Sequence, residues 1–269
     1  MNKYNELISK SNFYKSIIEQ KTKVNDDLIE NDKSIKLNIG SGPNIFPYKG
    51  WINYDRENFS DYFTWLKNIN ALIPEMSWAP NGPGSLIHLK LLQKFLNENE
   101  GDHICIHDLR NEFIQHIDNT IDLIYIGQVI EHLNPIYEAP KLIKECYRMM
   151  RSGGVIRLTT PDLDLLIQHY LDGKMNAFTL DQPEFYKTAD PGSQLSYIMF
   201  GATGPNCTFN NYEGHMFLYN KESMSNLLKS AGFNNIEFYY ELGKSKNKIM
   251  EKEVVDAGIS HSFIVEAVK

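Results

Sequence analysis

The segment that most limits what this chain can fold into is a short strand running directly into a glycine turn. Ile35-Lys36-Leu37-Asn38-Ile39 alternates apolar and polar residues and ends in Gly40-Ser41-Gly42-Pro43. A period of two predicts a half-buried strand, and the glycines allow a tight turn with backbone close to a ligand. Gly50-Trp51-Ile52-Asn53-Tyr54-Asp55 reads as a second strand ending in an acid, and His103-Ile104-Cys105-Ile106-His107-Asp108 as a third. Ile121-Asp122-Leu123-Ile124-Tyr125-Ile126 is a fourth, apolar enough to be buried on both faces. A helix is predicted at about 137–150, with Ala139, Leu142, Ile143, Cys146 and Met149 as its apolar stripe. Gly153-Gly154 is expected to end it, and Val155 to Thr160 to form a fifth strand. A further helix is predicted over 220–231, with Asn220 as N-cap and Gly232 just past its end. Ile236 to Tyr240 and Ser262 to Val268 read as two last strands. Strands alternating with helices imply an α/β fold with a parallel sheet covered on both faces.

Two long segments interrupt this alternation, at about 59–100 and 163–219, on a main domain expected over 35–269. The first holds the turn-rich Pro80-Asn81-Gly82-Pro83-Gly84 and a predicted helix at 86–97. The second is rich in aromatics, among them Tyr170, Phe185, Tyr197, Phe209 and Phe217, and is expected to cap the carboxyl end of the sheet. The N-terminal 1–34 is expected to be helical over 4–30, from the spacing of Leu7, Ile8, Phe13, Tyr14, Ile17 and Ile18, and to pack on the core.

The glycine turn narrows the ligand. A dinucleotide-binding turn needs a third glycine three residues after the second, and that position is Ile45. Its absence favours a ligand without a pyrophosphate and argues against a nicotinamide-dependent oxidoreductase. Asp55, at the end of the second strand, is placed beside the turn and can accept hydrogen bonds from both hydroxyls of a ribose. Asp108 ends the third strand in the same way and can take the exocyclic amine of an adenine, with Leu109 against the ring.

Composition excludes several partners. The net charge is -7, and no stretch concentrates Lys and Arg, which argues against nucleic acid and against an anionic membrane surface. The three cysteines are widely spaced with no Cys-x-x-Cys pair, so a zinc or redox motif is not expected. The N-terminus lacks the apolar core of a signal peptide and no run of ~18 apolar residues occurs, so a cytoplasmic protein without a membrane span is expected.

Taken in order, Leu37-Asn38-Ile39-Gly40-Ser41-Gly42, Gly50-Trp51-Ile52-Asn53-Tyr54-Asp55, Ile121-Asp122-Leu123-Ile124-Tyr125 with Glu131-His132-Leu133, and Gly153-Gly154-Val155-Ile156-Arg157-Leu158 resemble the motifs of class I S-adenosylmethionine-dependent methyltransferases. The nearest likeness is to the small bacterial type found with surface-polysaccharide biosynthesis. His215 to Tyr219 followed by Leu227 to Phe233 also matches the usual end of that domain, so the resemblance covers roughly 35–160 and 213–240. It implies a Rossmann-like, doubly wound, mostly parallel seven-stranded sheet with the last strand antiparallel. It also implies Gly40, Ser41 and Gly42 as the cradle of S-adenosylmethionine, Asp55 on its ribose, and Asp108 with Leu109 on its adenine. Gln128 stands where such proteins often have histidine. It cannot take a proton and is expected to contact the cofactor instead.

Methyl transfer from a sulfonium is an in-line displacement, and a hydroxyl acceptor must also lose its proton. The candidate bases are His132, after the fourth strand, His169, in the second insertion, and His215, before the final predicted helix, with Asp162 also at the end of the fifth strand; His215 is preferred because it can approach from the acceptor side. Asp162, Tyr212 and Tyr219 are candidate acceptor contacts. No His and Asp pair has a ligand spacing along the chain that predicts a metal, so none is expected. The leading function is O-methylation of a small polar metabolite such as a surface-carbohydrate precursor. The alternatives are the oxidoreductase and a non-catalytic protein that keeps the cofactor fold.

Overall fold

The computed structural model describes residues 33–42, 45–68, 92–99, 101, 103–109, 116–175, 188–200, 214–241, 243–254, 256 and 261–269. The helix expected over 4–30, the turn at 80–84, and Tyr212 lie outside the described residues.

The strands are β1 (Lys36–Ile39), β2 (Trp51–Asp55), β3 (Cys105–Ile106), β4 (Ile121–Gly127), β5 (Met150–Pro161), β6 (Asn234–Tyr239) and β7 (Ser262–Val268). They form one seven-stranded sheet in the order β3-β2-β1-β4-β5-β7-β6. β1 pairs in parallel with β2 and β4, β2 with β3 and β4 with β5. β7 is antiparallel to both β5 and β6. The order reverses at β1, so the crevice above the carboxyl ends of β1, β2 and β4 is the place where this topology binds ligands.

The helices are α1 (Ser60–Asn68), α2 (92–98), α3 (Glu138–Met149), α4 (Leu163–Leu171), α5 (Pro191–Phe200), α6 (Lys221–Ala231) and α7 (Lys248–Glu253), with a 3₁₀ turn at Ile130–His132. In α3 the five predicted stripe residues, Ala139, Leu142, Ile143, Cys146 and Met149, are the buried ones. They join Leu37, Ile39, Ile124, Ile156, Leu158 and Val265 in the main core. Fully burying side chains of this size stabilises by about 1.5–3 kcal/mol each, which is what ties α3 to the sheet. α6 starts with Asn220, whose side chain accepts from Ser223 N while the Ser223 hydroxyl accepts from Asn220 N. It ends at Gly232, which has a left-handed φ of 108°.

Several boundaries differ from the sequence reading. β3 is only two residues long, and its side chains are exposed because it forms the sheet edge. Asp108 therefore lies beyond the strand rather than at its end. Gly153 and Gly154 do not end α3. They sit inside β5, where Gly153 N donates to Lys269 O and Lys269 N to Gly154 O, so pairing with the chain end carries the strand through them. α1, α4, α5 and α7 are helices that the sequence reading does not predict; their apolar residues face separate small cores. Leu166, Met175, Ile198 and Leu218 form one such core between α4 and α5.

The sheet also holds buried charge. Arg157 of β5 is 0% exposed, bonds both oxygens of Asp256 at 2.7 and 2.5 Å, and reaches Glu266 of β7 at 2.6 Å. Lys36 of β1 pairs with Glu253 at 2.8 Å, and the same carboxylate accepts from Trp51 Nε1 at 2.7 Å. These bonds fasten the segment around α7 to one face of the sheet.

Candidate functional site

β1 delivers Gly40 and Gly42 to the crevice, with φ of 67° and 54°. Both values lie in the left-handed region that a side chain disfavours. A Cβ on Gly40 would stand 2.4 Å from Val129 Cγ2, so only glycine lets the turn lie flat against the end of β4. Gly40 N and Ser41 N both donate to Tyr54 O, at 2.8 and 3.0 Å, which ties the turn to β2. Ile45 is 0% exposed and packs with Phe63, Leu92, Leu96 and Ile104. Where a dinucleotide turn would place its third glycine, this chain builds core.

Asp55 closes the turn from the other side. Its Oδ2 accepts from Gly42 N at 2.8 Å and its Oδ1 from Glu57 N at 3.2 Å. Burial raises its pKa above the usual carboxylate value, and the hydrogen bonds from the Gly42, Glu57 and Arg56 amides partly offset that rise.

A cavity of about 320 Å³ opens above these residues. Gly40, Gly42, Asp55, Asp108, Leu109, Gln128 and His132 all line it. Ser41 does not; its hydroxyl donates to Gly42 O at 3.1 Å, so its part is to hold the turn. Sequence reasoning did not single out Arg56, Glu57, Phe59 and His107, which also line the cavity. They follow β2 and β3 directly, and that position after a strand end is the signal that could have found them. Gln128 holds a left-handed φ of 54°, and its Nε2 donates to Ser262 Oγ at 3.1 Å. The side-chain amide thus ties the end of β4 to β7, and a non-glycine residue is kept in a strained conformation at the cavity wall.

The acceptor-side residues are arranged differently from the expectation. His132 is on the cavity wall, while His215 is 8% exposed and lies behind it, with ring centroids 4.9 Å apart. His215 Nδ1 is 2.8 Å from Ile198 O, so Nδ1 carries the hydrogen and Nε2 keeps a lone pair. Burial and the nearby His132 push the His215 pKa down to about 4, which makes it a weak base near neutral pH. His132, and not the expected His215, is thus the histidine that lines the cavity. Asp162 is also corrected. It is 2% exposed, caps α4 through Asp164 N and Leu165 N, and accepts from the Tyr240 hydroxyl at 2.8 Å. Tyr219 is 2% exposed within the main core, so it does not face an open acceptor site. Among the described residues, none of 163–219 lines the cavity.

Glu131 is the residue that sequence reasoning quoted but gave no role. It is 0% exposed in the 3₁₀ turn after β4 and has Thr160 Oγ1 at 3.1 Å from its Oε2. Burial pushes its pKa up to about 8. Its backbone carbonyl accepts from Met216 N and Phe217 N, at 2.8 and 3.1 Å, and that contact draws His215 in beside it. One oxygen or nitrogen from each of Glu131, His132 and His215 lies within 4.8 Å of the others. The absence of a ligand spacing along the chain therefore gave no guide to the metal question. The fold brings His132 and His215 together although they stand 83 positions apart in the sequence.

A family model for the methyltransferase domain matches residues 57–238. The chain belongs to that family. Its cofactor is S-adenosylmethionine, and the cavity fits one: a glycine cradle that a Cβ on Gly40 would obstruct, a strand-end carboxylate, and a pocket of nucleoside size. No curated protein gives a significant match. Solved structures similar to this methyltransferase include S-adenosylmethionine-dependent methyltransferases from three organisms. The one from Archaeoglobus fulgidus is 15% identical, with 93% of this chain and 92% of that chain covered and a TM-score of 0.44. For the one from Thermotoga maritima the values are 13%, 99%, 95% and 0.44. For the one from Methanosarcina mazei they are 15%, 88%, 93% and 0.45. At such identities and scores they add nothing on substrate or residue roles. No helix among the described residues is long and apolar enough to cross a membrane.

Proposed function

We propose that this methyltransferase transfers a methyl group to oxygen on a small polar acceptor, of the class found in surface-carbohydrate precursors: a sugar hydroxyl, a nucleotide sugar, or a phosphate or phosphoramidate group. The observation that carries the reading is that His132 shares one cavity with Asp55 and the glycine turn. S-adenosylmethionine supplies an electrophilic methyl on sulfur. The chain supplies position and charge. Asp55 takes the ribose hydroxyls, Asp108 and Leu109 take the adenine, and Gln128 shapes the wall between them and β5. His132, half-buried on the wall of the same cavity, would receive a proton from a hydroxyl acceptor. The carbohydrate assignment rests on the motif resemblance, and the net charge of -7 supports a small acceptor over nucleic acid.

The test is transfer of a labelled methyl group from S-adenosylmethionine to a panel of sugars, nucleotide sugars, sugar phosphates and amines. Turnover on a hydroxyl or phosphate oxygen, with the ether or ester confirmed by mass spectrometry, supports the reading. Methylation confined to amines overturns it. A parallel titration with NAD(H) addresses the oxidoreductase alternative, which Ile45 disfavours. Cofactor binding with no turnover on any acceptor would favour a non-catalytic protein.

A further inference from the structure

We infer that Glu131, His132 and His215 form a binding site for one divalent cation of the first transition row, on the acceptor side of the cofactor cavity. Several observations converge there. The donor set is two imidazoles and a carboxylate whose ligand atoms lie within 4.8 Å of one another. Bonds of ~2.0–2.2 Å place neighbouring ligand atoms about 3–4 Å apart, so a spread within 4.8 Å is near that of a formed site. Glu131 is 0% exposed, and its Oε1 has no hydrogen-bond partner among the described residues. A buried carboxylate oxygen left so is costly, and a cation satisfies it.

His215 and Glu131 are also held in orientation. His215 Nδ1 is held by Ile198 O at 2.8 Å, which fixes the ring and leaves the Nε2 lone pair for a metal, the arrangement in which ligating histidines are usually oriented. Thr160 Oγ1, at 3.1 Å, holds the other oxygen of Glu131. Imidazole nitrogens with one carboxylate suit Zn²⁺, Mn²⁺, Fe²⁺ or Co²⁺ better than Mg²⁺ or Ca²⁺, which take oxygen ligands. Three protein ligands leave coordination positions open, as in catalytic rather than structural sites. His132 lines the cavity, so the cluster borders the space where the acceptor must lie. With the cation bound, the His132 lone pair is occupied, and a Lewis acid at this wall would replace the base role given to His132 above by lowering the pKa of an acceptor hydroxyl. That consequence rests on the proposed methyl transfer; the cation site itself does not.

The experiment uses the full-length chain, stripped with a chelator, without acceptor or adenosyl ligand. Co²⁺ is titrated and followed by calorimetry and by its visible ligand-field spectrum. The expected result is one equivalent bound, with a spectrum showing nitrogen ligation and not displaced by excess Mg²⁺. Glu131→Gln and His215→Asn should each weaken Co²⁺ binding by more than the roughly 10–100-fold typical of losing a mere ligand-supporting contact. Thermal melting and S-adenosylhomocysteine binding check that each variant is folded. In the wild type, Mn²⁺ should broaden the ring signals of His132 and His215 before other histidines, a reading that needs no variant. Absence of stoichiometric binding, displacement by Mg²⁺, unchanged affinity in both folded variants, or broadening elsewhere overturns the site. Full methyl transfer by metal-free protein would overturn the Lewis-acid consequence while leaving the transfer reaction standing.

Discussion

Replacing Asp55 with alanine separates a ligand-binding acid from a structural one. In the absence of ligand, the carboxylate accepts from Gly42 N at 2.8 Å and Glu57 N at 3.2 Å. These bonds do not fully offset its burial, because its pKa is raised rather than lowered. Removing the group therefore loses two hydrogen bonds and relieves a desolvation cost, and the two changes oppose each other. The expected net loss of stability is within about 1 kcal/mol, or roughly 2–4 °C in melting temperature for a chain of this size. Cofactor binding has no such compensation. Hydrogen bonds from the ribose hydroxyls to a charged acceptor are worth about 1.5–3 kcal/mol, and at 1.4 kcal/mol per tenfold the Kd rises about 10- to 150-fold. Calorimetry with S-adenosylhomocysteine, beside a thermal melt, measures both. A folded Asp55→Ala protein with wild-type affinity refutes the assignment. A large drop in melting temperature with unchanged affinity makes Asp55 a turn-holding residue only. The pH dependence has a defined sign. The ribose needs the ionised form, so affinity is full above the raised pKa and falls as pH drops through it. In the wild type that loss begins at a higher pH than an ordinary aspartate would give, and it is missing in Asp55→Ala.

Arg157→Met leaves Asp256 and Glu266 buried without their guanidinium, and the expected cost is about 3–5 kcal/mol, read as a shift in the denaturant midpoint. Gly40→Ala forces a side chain into a left-handed φ and against Val129, so it should lose at least about 1–2 kcal/mol of stability and weaken S-adenosylhomocysteine binding more than tenfold. A folded variant with unchanged affinity would remove Gly40 from the cofactor cradle. Asn220→Ala breaks the capping box of α6 and should cost about 1 kcal/mol in melting experiments without altering cofactor affinity.

Much of the fold and half of the site are legible along the chain because they depend on neighbours in sequence. The stripe of α3 and the cap and stop of α6 are local patterns, and the structure repeats them nearly residue for residue; the period of two in 35–39 marks a strand but not its half-burial, because β1 lies inside the sheet with Lys36 and Asn38 buried as fully as Leu37 and Ile39. The glycine turn and Asp55 share this property: once β1 and β2 are parallel neighbours, two strand ends must meet. The boundaries that shifted did so where partners distant in sequence decide. Gly153 and Gly154 stay in β5 only because Lys269 pairs with them. Asp162, with all the marks of a cavity acid, is instead enclosed by α4 and Tyr240.

The acceptor side shows the same division in chemical terms. His132 and His215 are visible in the sequence as two separate bases, and nothing local tells which faces the cofactor. Contacts of Glu131 O with Met216 N and Phe217 N, and of Ile198 O with His215, set their order and bring three donor atoms together. Arg157 likewise reads as one polar residue in an apolar strand until Asp256 and Glu266 close on it from 99 and 109 residues away. The sequence by itself determines the strand-and-helix alternation and the cofactor end of the crevice, because periodicity and turn chemistry act over a few residues. Only the tertiary structure decides which buried charges are matched and which histidine faces the cavity, because burial and electrostatics depend on whatever the fold brings within a few ångströms.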